Sequence, residues 1–122
     1  HSAAVKALSD DNNLANQVVT DIEKAPVSNK MKALLHIASQ VRISGKSVSR
    51  ESIDHAKAEG ATDIEIHDTV LIAALFCMYN RYVDGLGTAL PADPSYYDML
   101  GERLRDHGYM RLPQGYDHLK KQ

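Results

Sequence analysis

Most of the residues able to do chemistry fall in one stretch of the sequence. A helix turning 100° per residue sets His67, Val70, Ala74, Cys77, Arg81 and Asp84 along one stripe. Cys77 brings a thiol and His67 a base, while Arg81 and Asp84, three residues apart, form a potential electrostatic clamp. Polar groups on a buried helix need partners, because an unpaired buried charge is costly. Two readings stand side by side. In one the stripe is the wall of a site. In the other Cys77 is a core thiol, His67 a surface residue near a helix start, and Arg81–Asp84 an ion pair within or between subunits. Cys77 lies inside the ten-residue apolar run Val70–Tyr79, so burial and inertness are the expectation for its thiol. Arg81 and Asp84 are expected to serve structure or subunit contact.

Other constellations are weaker. His67-Asp68, with His36 and His55 elsewhere, invites a metal-hydrolase reading, but no ligand spacing insists on it. No metal and no cofactor is called for. A Gly-x-Ser-x-Gly elbow is absent. The tyrosines at 79, 82, 96, 97, 109 and 116 crowd the second half, where an apolar body with a polar tip suits a pocket or an interface.

The elements that would position these groups are helical. Ala3 to Leu8 reads as the tail of a helix, and Leu14, Val18 and Ile22 mark a second one stopping before Pro26. Ser28 is an N-cap candidate for a third, with Met31, Leu34, Leu35, Ala38 and Val41 inward and Gly45 closing it. Ser49 opens a short helix carrying Ile53 and Ala56 inward and ending at Gly60. Thr62 and Glu65 form a capping box for a long helix to about Asp84, apolar on all sides and so expected to be the central buried one. After Pro91 and Pro94, Ser95–Asp106 reads as a last amphipathic helix with Tyr96, Met99, Leu100 and Leu104 inward. The expectation is an all-α fold of five or six helices, one domain over residues 1–112, and a tail at 113–122 that packs on another element or subunit.

Composition narrows the classes. With 122 residues, 43% hydrophobic and 25% charged, the chain resembles an ordinary globular domain. Its longest apolar run is half of the about 20 residues that a membrane span needs. A net charge of −2 gives no reason to expect nucleic acid or an anionic membrane as partner. One cysteine closes no internal disulfide, and a reduced, cytoplasmic setting fits. The chain begins at His rather than Met, the pattern of a processed chain or of the later part of something longer.

The segment Gly60–Gly87, GATDIEIHDTVLIAALFCMYNRYVDGLG, resembles the second half of the alkylhydroperoxidase-like, carboxymuconolactone decarboxylase superfamily. Asn80, Arg81, Asp84, Gly85, Leu86 and Gly87 match that group's Asn-Arg-x-x-Asp-Gly-Leu-Gly ending. Lys30–Val41 is similar to its Lys-x-x-Ala-Leu-Leu-x-x-Ala element. The opening His-Ser-Ala-Ala-Val resembles the segment that begins at the histidine of the Cys-x-x-Cys-x-x-x-His motif. The resemblance then implies that His1 is the motif histidine, with both cysteines and an acidic relay residue upstream of it. It further implies a homo-oligomer that reduces a small-molecule peroxide through that cysteine pair, recycled by a dithiol reductant. His67, Cys77, Asn80, Arg81 and Asp84 would then be structural or interface residues near the site.

The chain as it stands holds neither motif cysteine, and Cys77 lies on another helix. Two alternatives therefore remain beside the peroxidase. One is a non-catalytic helical assembly or binding module of the same fold. The other is a lactone-decarboxylase-like enzyme with His1 or His67 as proton donor or acceptor.

Overall fold

A computed structural model of the protein describes residues 1–110. The described residues are all-α, with six helices and no strand: α1 (Ser2–Leu8), α2 (Leu14–Thr20), α3 (Asn29–Ile43), α4 (Arg50–Ala58), α5 (Asp63–Gly85) and α6 (Ser95–His107). A short 3-10 turn, Gly45–Ser47, joins α3 to α4. The tail expected at 113–122 lies outside the described residues. No helix among them is long and apolar enough to cross a membrane. The chain divides into two compact units, with the boundary inside α2. Among the described residues one holds 1–16 and 91–110; the other is Gln17–Leu90.

In the second unit the helix starts follow from side-chain caps. Ser28 Oγ accepts from the Met31 N–H at 3.2 Å, and Ser49 Oγ from the Ser52 N–H at 3.1 Å. The Thr62–Glu65 capping box is closed in both directions, at 3.2 Å and 2.8 Å. Each cap satisfies amide groups that a helix start leaves without partners. Gly60, at φ +87°, makes the left-handed turn after α4 that a side chain would resist. At the far end of α5, Gly87 adopts φ +60° and the Thr88 N–H returns to the Val83 carbonyl at 3.0 Å.

The core of this unit is small. Ala33, Leu34, Ile37 and Val41 of α3 meet Ala56 of α4, Ala61 in the turn that follows it and Ile66 of α5, with Val48, Ile53, Val70 and Ala73 packed around them. The α3 face is thus rotated from the expected one, and Met31 stands in solvent while Ala33 and Ile37 are fully enclosed.

The expectation for α5 is corrected more sharply. Only Ile66 is buried, and the rest of its inward stripe is half-buried. An all-round apolar helix needs neighbours on every side, whereas α3 and α4 cover one side of its first three turns. Two ion pairs hold that covered end: Lys30 Nζ lies 2.6 Å from Glu65 Oε1, and Lys57 Nζ 2.7 Å from Asp63 Oδ1.

In the first unit α1 packs on α6. Gly101 is its buried point, pressed against the Ala3 backbone. Leu100 and Leu104 flank it half-buried, while Tyr96 and Met99, expected inward, are exposed. The inward face centres on Gly101, where the missing side chain lets the Ala3 backbone come closest.

Candidate functional site

The six residues singled out by sequence do not form one site. His1 belongs to the first unit and the other five to the second. Along α5, His67 and Asp84 stand about 25 Å apart, at 1.5 Å per residue. His67 is exposed and its Nδ1 sits 3.0 Å from Asp68 Oδ1. Asn80, Arg81 and Asp84 are exposed as well. Within the chain the Arg81–Asp84 pair does not form. The Arg81 guanidinium instead donates to the Cys77 carbonyl, one turn back, at 3.1 Å. At an exposed helix surface an ion pair gains little, and a backbone carbonyl in the last turns is a ready acceptor. Cys77 is half-buried rather than enclosed. It lies at the outer end of the inward stripe Ile66, Val70 and Ala73, past the cover that α3 provides.

His1 is placed more productively. It is the residue before α1, and its carbonyl accepts the Val5 N–H at 3.0 Å. Its Nε2 shares a hydrogen bond with the Tyr109 hydroxyl at 3.0 Å, the rings tilted at 37°. Gly108, at φ +59°, ends α6 just before that tyrosine. Beside His1 runs a groove of about 290 Å³, walled by Ala4, Tyr97, Leu100, Gly101 and Leu104. Its lining is mainly apolar, with Ser2 and the His1 imidazole as polar members beside the Tyr97 phenol. Such a cleft suits a small organic molecule with one polar end. Lys6 Nζ and Asp98, 3.3 Å apart, tie the same two helices.

No family model matches the chain, and no curated protein or solved structure matches it either.

Sequence reasoning reached His1 and turned Leu100 and Leu104 inward, but missed Tyr97 and Gly101 in the same wall. Tyr97, Leu100, Gly101 and Leu104 repeat at i, i+3, i+4 and i+7, the signature of one helix face. Reading Tyr96 and Met99 as inward shifted that face by one residue.

A second concavity, of about 380 Å³, lies in the other unit between α3 and α4. His36, Gln40, Ser49, Ser52 and His55 line it. Three of its polar residues are engaged by the fold: His36 with Glu23, the Gln40 amide donating to Ser52 Oγ at 2.9 Å, and Ser49 capping α4. The Gln40 side-chain oxygen is buried without a hydrogen-bond partner. Among the described residues no three His, Cys, Asp or Glu side chains converge as metal ligands.

Proposed function

We propose that this chain is the helical body of a thiol-dependent peroxidase of the alkylhydroperoxidase-like kind, acting in a reducing cytoplasm on small organic peroxides. The observation that carries the reading is His1 at the mouth of the apolar groove, its ring bonded to Tyr109. The coincidence of Asn80–Gly87 with the end of α5 supports the same resemblance.

The proposed chemistry needs a cysteine pair ahead of His1. One thiol passes its proton to the imidazole, and the thiolate attacks the terminal peroxide oxygen. The O–O bond breaks, the alkoxide takes the proton back, and an alcohol leaves. The sulfenic acid then condenses with the second thiol, releasing water and forming a disulfide that a dithiol reductant reopens. The Tyr109 hydroxyl orients the imidazole, and the groove walls receive the alkyl part of the peroxide.

Peroxide consumption with a dithiol reductant tests this on two forms. The 122-residue chain should show no dithiol-dependent turnover, since its single thiol, Cys77, lies in the other unit. A longer form carrying Cys-x-x-Cys-x-x-x-His with its histidine at His1 should turn over. His1→Ala in that form should lower the rate about 10²–10⁴-fold, the usual worth of a positioned base. Robust turnover by the short chain, or none by the longer one, overturns the reading.

A further inference from the structure

We propose that α5 pairs antiparallel with α5 of a second copy of this chain, about a two-fold axis at Leu75. The inference is independent of the peroxidase reading. It starts from the side of α5 turned away from Ile66, Val70 and Ala73. There Ile64, Asp68, Leu71, Leu75, Met78 and Tyr82 follow one another at steps of four, three, four, three and four. Ile72, Tyr79, Val83 and Leu86 run beside them. Alternating steps of three and four are the spacing of a helix–helix seam.

These nine apolar side chains keep between 39% and 73% of their surface open, and no charged residue interrupts them from Leu71 to Val83 on this side. At about 200 Å² for a fully exposed large side chain, they present roughly 1,000 Å² per copy. The largest apolar patch on a typical monomer is about 300–600 Å². A stable pair needs about 800 Å² from each partner.

The pattern also says what covers the face, because it is complementary to itself in reverse. With the axis at Leu75, Ile64 meets Leu86 of the second copy, Leu71 meets Tyr79, and Ile72 meets Met78. Asp68, the one charge in the row, falls opposite Tyr82, whose hydroxyl can donate to a carboxylate. His67 already engages one Asp68 oxygen, and a carboxylate accepts more than one bond. A parallel pair would bring Asp68 against Asp68, like charges across a drying interface. Antiparallel helices also oppose their dipoles. A self-complementary contact of this kind closes at two copies.

The test uses the full chain with Cys77→Ala, so that introduced thiols are the sole ones. Leu75→Cys should cross-link to itself under mild oxidation, since facing helices at 8–10 Å bring such Cα atoms into disulfide range. Ile72→Cys alone should not cross-link, but should do so when mixed with Met78→Cys. By light scattering the unaltered chain at micromolar concentration should weigh twice 13.5 kDa. Leu75→Glu should weigh 13.5 kDa with its helical circular dichroism kept. A monomeric unaltered chain overturns the proposal. So does a dimer in which Leu75→Cys fails to cross-link, which would assign the contact to another face. Ile72→Cys linking to itself rather than to Met78→Cys would mean parallel pairing and also overturn it.

Discussion

Gly101→Ala sets two effects against each other. In the middle of a helix, alanine is ordinarily better than glycine by about 1 kcal/mol. At Gly101 the new methyl would lie 2.5 Å from the Ala3 oxygen, 2.7 Å from its carbonyl carbon and 3.1 Å from its Cβ. Two of these are main-chain atoms, so no side chain can swing aside and α1 itself must move. Forcing an extra methyl into a filled contact costs about 1–3 kcal/mol. With the propensity gain subtracted, the fold as a whole loses about 0–2 kcal/mol, while the docking of α1 bears the full 1–3, because α6 keeps its gain whether or not α1 is docked. The loss falls on the docking of α1, a seven-residue helix, too short to persist without its neighbour. Hydrogen exchange at the Val5 and Ser9 amides, bonded to the His1 and Val5 carbonyls, reads it out. A loss near 1.4 kcal/mol speeds their exchange about tenfold. Gly85→Ala is the control, because nothing lies within 4 Å of a methyl there. Unchanged or slower exchange of α1 in Gly101→Ala would refute the close approach of the two helices, and with it the groove beside His1.

Acid should weaken the clamp at the start of α5. The Lys30 ammonium first, then the Thr62 amide and hydroxyl, hold the Glu65 carboxyl down at about 2 from 4.5. Folding thus favours the carboxylate, so this stabilisation is complete above about pH 4.5 and is lost as pH falls toward 2. Glu65→Gln should flatten the melting temperature against pH across that window; an unaltered acid limb would contradict the assignment. Arg81→Ala should change stability by less than about 0.5 kcal/mol, as for a surface position bonded to its own helix, and a loss of several would restore a buried pair. Cys77 should take up one equivalent of a thiol reagent in the native state, more slowly than an exposed cysteine, and a requirement for denaturant would return it to the core.

Local chemistry made the helix boundaries legible. Ser28, Ser49 and the Thr62–Glu65 box act within three residues of themselves, so their sequence spacing already contains the geometry that closes them. The stop at Gly60 and the break at Pro91–Pro94 are local in the same sense. Burial was not legible, because it depends on what lies opposite. The run Val70–Tyr79 is apolar whether or not anything covers it, and α3 reaches one side of the first turns. Within the chain the Arg81–Asp84 pair failed for a related reason: the spacing permits it, yet the Cys77 carbonyl competes as acceptor. At the groove, His1 and Gly101 are 100 positions apart, and no local pattern could have brought them together. What the sequence did hold was the i, i+3, i+4, i+7 face ending at Leu104.

Mechanically, α5 behaves as a cantilever. Its root is clamped by the capping box, by Lys30 and Lys57, and by Ile66 against α3, while every residue from Met78 to Gly85 stands exposed. At 1.5 Å per residue the exposed stretch from Met78 to Gly85 is about 10 Å. A 10° change of tilt at the root therefore sweeps the tip by roughly 2 Å, a lever arm built into a single helix. A substitution at Glu65 would then displace Asn80, Arg81 and Asp84 without touching them. A second copy laid along the overhang would prop the beam at midspan and damp that sweep.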